Sequence, residues 1–292
     1  MIAYNPKDWF TFIFKLHKAD TFRALFLMLI CIGAYTGFIA WLEIEFWNLG
    51  SDSKVKNLNL LHNMLGFVLS LLLVFRTNTA YERWWEGRKL WGSLVNNSRN
   101  LAIKLHIILD ANDSINRSFF KRAIPTFAEV LKTHLSKEQV RFELDAAEHP
   151  EFKIINKDKH LPNQIACILA NKVNNLHKQK IINDVQLINL NAELSSFTEI
   201  CGACERIKNT PIPFSYSLFV KKFIFFYIMT LPFAFVMHLG YYAIPVVVFI
   251  FYVLASLEMI AEEIEDPFGN DLNDLPTQKI AENIKKHVGE LL

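Results

Sequence analysis

Uncharged apolar residues dominate three stretches of this chain, and the longest, residues 223–257, has no Asp, Glu, Lys or Arg among its 35 residues. A single helix of that length would extend for roughly 52 Å, whereas the apolar core of a bilayer is about 30 Å thick. Gly240 and Pro245 interrupt the run with a residue that ends helices and one that begins them. The pattern therefore predicts two consecutive helices that cross a membrane as a hairpin.

Two further stretches lack charged side chains, and each is long enough to cross a bilayer as a helix. Residues 24–42 and 57–75 are both 19 residues long, close to the roughly 20 that a span requires. Apolar residues make up 52% of the chain, and the pattern predicts a polytopic membrane protein with four transmembrane spans. The alternative is a large soluble helical protein with buried core helices, but no soluble fold needs so long an unbroken apolar run.

Basic residues are placed asymmetrically around these spans. Groups of four lie before the first span, after the second and before the hairpin, whereas the hairpin tip carries no charge. By the positive-inside rule, both termini and the long middle segment are cytoplasmic. The groups are Lys7, Lys15, Lys18 and Arg23; Arg76, Arg83, Arg88 and Lys89; and Arg206, Lys208, Lys221 and Lys222. The net charge of +2, without a dense basic block, gives no indication of nucleic-acid binding.

The middle segment, residues 76–222, has the periodicity of helices. Apolar residues recur at intervals of three and four, as in Ala102, Leu105 and Leu109, and no long stretch alternates in the manner of a strand. The sequence therefore predicts an all-α fold in which helical cytoplasmic segments adjoin the membrane spans. The predicted divisions of this one unit are 1–75 for the N-terminal segment and spans 1 and 2, 76–222 for the cytoplasmic helices, 223–257 for the hairpin of spans 3 and 4, and 258–292 for an acidic cytoplasmic C-terminal segment.

Motifs that carry chemistry are scarce in this chain. It contains no nucleotide-binding glycine pattern, zinc-protease histidine pair or serine-hydrolase motif, so we expect neither an enzyme nor a bound cofactor. Cys201 and Cys204 have the spacing of a redox pair or of half a zinc site, but they lie in a helical pattern without a second ligand pair. We interpret them as two small buried thiols; a membrane enzyme that uses them as a redox pair is the alternative.

Acidic residues cluster directly after the last predicted span. Oxygen ligands at this density could bind calcium, but their spacing does not match an EF-hand loop. A solvated acidic helix end, or ion pairs with the arginines next to the membrane, explains the cluster better. Its members are Glu262, Glu263, Glu265, Asp266, Asp271 and Asp274.

The second predicted span carries a bulky apolar ridge formed by Phe67, Leu71 and Phe75 at intervals of four residues. Beside it runs a stripe of small or polar residues, which indicates close helix packing or an aqueous lining. Packing inside one subunit is one interpretation of this pattern. The other places several copies of the helix around an axis, where the ridge would form a hydrophobic constriction that gates by dewetting. The stripe consists of Asn59, Asn63, Gly66 and Ser70.

Three longer motifs identify a family that the chain resembles. The run FRTNTAYERWWEGRKLWG begins at Phe75; CER at residues 204–206 is followed by TPIPF at 210–214; and EEIEDPFG at 262–269 is followed by NDLP at 273–276. Their order and spacing resemble the bestrophin family in its bacterial branch, from about residue 5 to residue 290. The resemblance implies a homopentamer in the bacterial inner membrane, with both termini cytoplasmic, that passes small monovalent ions along one axial pore. Chloride and sodium or potassium are both open, because members resembling bestrophins include anion and cation channels.

The resemblance also implies where the pore is narrow. Its apolar neck falls on Phe67, Leu71 and Phe75, the ridge already found from periodicity. A second, cytoplasmic aperture is formed in the family by one aliphatic side chain, which follows an aspartate in bacterial members. The pair Asp184-Val185 matches this pattern and points to Val185, with Ile181 and Ile182 as neighbouring candidates.

Calcium control is the point at which the chain departs from the family pattern. Animal members bind calcium in a clasp of consecutive acidic residues together with backbone oxygens near the N-terminus. Asp271 and Asp274 occupy acidic positions of that clasp, but Leu272 and Asn273 break the run, and Asp266 replaces an amide residue before the proline. We therefore expect no metal site here. A non-conducting membrane scaffold or sensor that docks a cytoplasmic partner remains the alternative to a channel.

Overall fold

The computed structural model describes residues 21–47, 58–136, 155–156 and 159–292. A π-helical turn, Leu42–Phe46, extends the helix Thr21–Trp41, and a 3-10 turn, Gly240–Tyr242, joins the helices Phe214–Leu239 and Ala243–Glu265. No strand occurs among the described residues, and the predicted all-α class is confirmed. Lys7, Lys15, Lys18 and the side chain of Asn59 lie outside the described part. The helices are α1 Thr21–Trp41, α2 Leu58–Ile108, α3 Ser114–Ser136, α4 Leu161–Lys178, α5 Asp184–Asn209, α6 Phe214–Leu239, α7 Ala243–Glu265 and α8 Thr277–Leu291.

The described chain forms two compact units. The apolar unit comprises residues up to 83 together with 211–265, and the bundle unit comprises 84–210 and 266–292. The long helix α2 contributes to both units. The boundary predicted between residues 75 and 76 therefore falls inside a helix that continues for a further 33 residues, to Ile108.

The apolar unit contains the stretches that can cross a membrane. Three helical stretches, Thr21–Phe46, Leu60–Ile108 and Phe214–Glu265, are long and apolar enough for this by length and composition. The predicted break in the uncharged run is confirmed, because Gly240 stands between α6 and α7 with a positive φ of 55°. A positive φ costs glycine little and other residues more. Pro245 lies in the first turn of α7, where its missing N–H is not needed.

The core of the apolar unit joins α2, α6 and α7. Leu69 and Leu73 of α2 pack with Val220, Ile224, Ile228 and Leu231 of α6 and with Val247 of α7. Polar contacts add to this packing: His62 Nε2 lies 3.0 Å from Thr230 Oγ1, and the Tyr216 hydroxyl donates to the carbonyl of Leu72 at 2.9 Å. Together these contacts fix which face of α2 is turned inward.

The bundle unit has its own aromatic and aliphatic core. Helix α3 packs against α4 and α8, and α4 packs against α5. The fully buried side chains of this core include Trp91, Phe119, Phe127 and Phe197. Burial of large apolar side chains is the main source of stability for such a bundle, and it fixes the relative positions of the polar side chains described below.

Candidate functional site

The predicted ridge on α2 is turned away from the core of its unit. Phe67, Leu71 and Phe75 are 73%, 47% and 57% exposed, whereas Leu69 and Leu73 on the same turns are buried. At 100° per residue the two sets lie on nearly opposite faces of the helix. The structure therefore places the three residues together on one outward surface.

Two residues of this surface were not predicted from the sequence. Leu60 and Met64 are also strongly exposed, and their spacing of seven and three residues from Phe67 places them on the same face of α2. Their spacing from Phe67 is a signal in the sequence, but the predicted ridge included only bulky residues at intervals of four from Phe67 to Phe75. The outward apolar surface thus begins two helical turns before Phe67.

The polar stripe beside the ridge divides into two kinds of residue. A Cβ added to Gly66 would lie 2.9 Å from the Tyr227 hydroxyl, so Gly66 serves close packing of α2 against α6. Asn63 and Ser70 are exposed, and the Ser70 hydroxyl donates to the carbonyl of Gly66 at 2.8 Å. Close helix packing therefore explains Gly66, whereas an aqueous lining at Asn63 and Ser70 stays a prediction.

Arg76, which directly follows the ridge, is 2% exposed and paired with two acids. Its Nη1 lies 2.7 Å from Glu265 Oε2, and its Nε lies 3.5 Å from Glu258 Oε2. The carboxylate of Glu265 also accepts the backbone N–H of Ile212 at 2.7 Å. The expected ion pairing of the acidic segment with arginines is confirmed at this pair. The guanidinium is neutralised inside the unit and adds no free charge to the ridge.

Val185 lies in the first turn of α5, at a firmly capped helix start. The Asn183 side chain accepts the N–H of Gln186, and the Gln186 side chain accepts the N–H of Asn183, each at 2.9 Å. This capping box fixes the start of α5. Val185 is 67% exposed and Ile181 is also exposed, but Ile182 is buried in the bundle core. Of the three candidates for an aperture, Ile182 is unsuitable.

Cys201 and Cys204 are both buried on α5 as free thiols. Burial, with a smaller contribution from the charge of Glu205, raises the pKa of Cys201 to about 12. Burial likewise raises the pKa of Cys204. Because the thiolate is the reactive form, neither residue is suited to redox chemistry, in agreement with the prediction of buried structural thiols.

Asp274 is buried and holds a turn together with Asp271. Its Oδ2 accepts the backbone N–H of Asp271 at 2.7 Å, whereas the Asp271 side chain is exposed. Burial raises the pKa of Asp274 to about 6, and the neighbouring carboxylates of Asp271 and Asp266 act in the same direction. Its Oδ1 is buried without a hydrogen-bond partner. Asp274 therefore holds the turn through the backbone N–H of Asp271. The N-terminal part of a clasp lies outside the described residues, so the expectation of no calcium site stays a prediction.

One polar cluster in the bundle unit was not predicted. His134 Nε2 and His160 Nε2 each lie 2.6 Å from the same oxygen, Oε1 of Glu205. Burial acts to raise the pKa of Glu205, but the hydrogen bonds from His160 and His134 outweigh it and leave that pKa below its ordinary value. Glu205 is 45 residues from His160 and 71 from His134, so no local spacing could have indicated the cluster.

An all-helical chain with apolar helices of membrane-spanning length and an outward apolar ridge defines a helical membrane protein. Residues 1–290 match the family described as Bacterial/Fungal Bestrophin protein. The chain belongs to this bacterial and fungal branch of the bestrophin family, and the resemblance found from its motifs is confirmed.

Several relatives of this chain carry the name voltage-dependent anion channel-forming protein. One from Nostoc is 32% identical over 292 residues, covering 98% of this chain and 92% of the relative. One from Escherichia coli K12 is 33% identical over 224 residues, covering 76% of this chain and 73% of the relative. A crystal structure of a bacterial bestrophin homologue from Klebsiella pneumoniae, a single-residue mutant, superposes with a TM-score of 0.79 at 26% identity, covering 91% of this chain and 98% of that chain.

Proposed function

We propose that five copies of this chain form an anion channel whose neck is lined by Phe67, Leu71 and Phe75. The observation that carries the proposal is the outward position of these three side chains on a helix whose opposite face is buried. In this arrangement residues 21–46, the first part of α2, α6 and α7 are the four spans. The bundle unit and both termini are cytoplasmic, in a multi-pass protein of the inner membrane.

Exposed apolar side chains on a membrane helix also fit contact with lipid, so the neighbouring residues decide between the two surroundings. Asn63 and Ser70 are exposed beside the ridge, and polar side chains at membrane depth favour a protein or water environment over lipid. Membership of a family with channel-forming relatives supports the same choice. A shared axis therefore explains the surface better than a lipid contact.

The electrostatics of the neck are compatible with anions. The charge of Arg76 is paired with Glu258 and Glu265, so its guanidinium adds no free charge to the end of the ridge. The rings of Phe67 and Phe75 have positive edges and negative faces, so the proposed selectivity for anions includes an edge-on position of these rings at the axis. Relatives named as voltage-dependent anion channel-forming proteins support this selectivity, and small monovalent anions such as chloride are the expected ions.

A narrower cytoplasmic aperture is part of the same proposal. Val185 is held at a capped helix start and exposes its aliphatic side chain. A ring of five such side chains would select ions by size rather than by charge. The rigid cap supports the assignment, because a size filter requires a side chain held in a fixed position.

The test is current across a planar bilayer that contains the purified protein under a potassium chloride gradient. Unitary currents with a reversal potential near that of chloride support the proposal, and a reversal potential near that of potassium overturns anion selectivity. The triple variant Phe67→Ala/Leu71→Ala/Phe75→Ala should raise conductance or open probability, because a wider, less apolar neck stays hydrated.

A matched control removes the same side chains elsewhere in the apolar unit. The variant Leu27→Ala/Phe226→Ala/Phe249→Ala changes one leucine and two phenylalanines that are exposed on α1, α6 and α7, and its currents should equal those of the wild type. Equal currents in both triple variants would overturn the neck. Silence of both the wild type and the neck variant would favour the scaffold.

A further inference from the structure

His134, His160 and Glu205 come from three different helices and converge at one point of the bundle unit. His134 lies in the last turn of α3, His160 caps α4, and Glu205 lies on α5. Their ligand atoms all lie within 4.8 Å of one another, and the two imidazole rings are 4.5 Å apart between centroids. We propose that these three side chains form a binding site for a divalent transition-metal ion of the zinc class.

The donor set selects the class of ion. Two imidazole nitrogens and one carboxylate oxygen suit zinc, cobalt or nickel, whereas calcium and magnesium prefer ligands that are all oxygen. Three protein ligands leave a fourth tetrahedral position for water. All three side chains are about one-third exposed, so an ion can enter from solvent and keep that water.

Only a small movement separates the observed geometry from a coordinated one. Metal–ligand distances near 2.1 Å place the ligands of a tetrahedral ion about 3.3 Å apart. The two nitrogens now lie 2.6 Å from Glu205 Oε1. Each imidazole therefore has to move away from the Glu205 oxygen by less than about 1 Å. Rotation of a side chain that is about one-third exposed allows this movement.

The protons of His160 link metal binding to the start of α4. Its Nδ1 accepts the backbone N–H of Asn163 at 3.2 Å, so in the neutral ring Nε2 carries the hydrogen and donates it to Glu205. When Nε2 coordinates the ion, the hydrogen moves to Nδ1. The Nδ1–H then faces the backbone N–H of Asn163, and two donors cannot form a hydrogen bond with each other. The cap is exchanged for a hydrogen bond from Asn163 to water, because Asn163 is exposed.

The experiment titrates cobalt and zinc into tag-free, EDTA-stripped, full-length protein in detergent. We expect one ion per chain, a visible cobalt spectrum typical of four-coordination, and a Tm that rises with zinc concentration. His134→Ala and His160→Asn should each weaken binding at least a hundredfold. Asparagine is chosen at position 160 because it is a good N-cap, so this variant removes a metal ligand and retains the helix start.

His177→Ala is the matched control. His177 lies on α4 with its Nε2 2.7 Å from Asp184, so it is another histidine beside a carboxylate, and its loss should leave the affinity unchanged. The Tm of His160→Asn in EDTA, compared with that of the wild type, confirms that the variant is folded. Absence of binding by the wild type, or equal affinity of the wild type and His160→Asn, would overturn the site. Channel currents play no part in this test, so its outcome is independent of the proposed function.

Discussion

Arg76 and Glu265 form an ion pair with 2.7 Å between Nη1 and Oε2, and both residues are largely withdrawn from solvent. The pair joins the residue that follows the apolar ridge on α2 to the last residue of α7. Glu258, one to two turns earlier on α7, is the second acid beside the same guanidinium. The end of the ridge is thus fixed to another helix by a charge cluster in which one cation, Arg76, faces two acids.

Arg76→Gln should destabilise the protein strongly. The substitution leaves Glu258 and Glu265 buried without their cation, and breaking a buried ion pair in this way costs about 3–5 kcal/mol. The measurement is the Tm of the detergent-solubilised protein by differential scanning fluorimetry. The double variant Arg76→Gln/Glu258→Gln should recover part of the loss, because it removes one of the two stranded charges.

Arg206→Gln provides the comparison for Arg76. Arg206 Nη2 also lies 2.7 Å from a carboxylate, that of Glu86, but both partners are well exposed. Exposed pairs contribute about 0–1 kcal/mol, so the Tm should barely change. Similar Tm losses in Arg76→Gln and Arg206→Gln would contradict the role assigned to burial.

Gly66→Ala should lower stability through one identified atom. The added Cβ would lie 2.9 Å from the Tyr227 hydroxyl oxygen, whereas the next ring atom, Cζ, is 3.5 Å away. Overpacking of this kind costs about 1–3 kcal/mol. Tyr227→Phe removes the oxygen, so the double variant should be more stable than the sum of the two single effects predicts. A double-mutant cycle by thermal unfolding measures this coupling, and strict additivity would contradict the contact.

Asp274→Asn should stabilise the protein at high pH and have little effect at low pH. The folded-state pKa of Asp274 is raised from 3.8 to about 6, so its favourable contribution is complete below about pH 3.8 and is lost as the pH rises through 6. At pH 8 the buried carboxylate costs at most about 3 kcal/mol. The amide oxygen of asparagine can still accept the N–H of Asp271. Tm values at about pH 4 and pH 8 test the prediction, because the two values lie near the ends of the range over which the contribution is lost.

Asp271→Asn is the control for this pH dependence, because the Asp271 side chain is exposed. It should shift the Tm much less than Asp274→Asn at pH 8. A Tm difference between Asp274→Asn and the wild type that does not depend on pH would show that the carboxylate does not titrate in this range.

Val185→Ala should change ion selection without changing stability, since the side chain is exposed in the isolated chain. A wider aperture in the proposed channel should raise the permeability of large anions relative to chloride, as measured by reversal potentials with different anions on the two sides. Ile115→Ala, which trims an exposed side chain on α3, should leave the permeability ratios unchanged. Identical ratios in the wild type and Val185→Ala would remove Val185 from the pore.

The sequence predicts the features of the fold that depend on single residues or on spacing within one helix. The break at Gly240 and Pro245 was predictable, because a positive φ and a missing N–H are properties of single residues. The shared face of Phe67, Leu71 and Phe75 followed from spacing within one helix, whereas its outward direction is seen only in the structure. The continuation of α2 past Phe75 was not predicted, because charged residues follow at that point. Charged side chains on an exposed helix face do not end a helix.

Contacts between distant segments could not be predicted in the same way. Asp274 is one of several acids in its segment, and only the packed fold distinguishes this buried carboxylate from the exposed Asp271. The cluster of His134, His160 and Glu205 depends on the ends of α3 and α4 meeting one face of α5. Ile182 and Val185 have similar side chains in sequence, and only burial shows that Val185 alone of the two is accessible.

The contrast between the cysteines offers a direct way to count subunits. Cys201 and Cys204 are buried thiols with raised pKa, whereas Cys31 and Cys167 are exposed. After Cys31→Ser, a thiol-reactive spin label should therefore attach at Cys167 alone, without removal of the other two cysteines. In a symmetric ring of five, pulsed dipolar spectroscopy would record two distances, the side and the diagonal of a pentagon, whose ratio differs from that of a square. Because one cysteine per chain would carry the label, these distances would give the number of subunits in the ring.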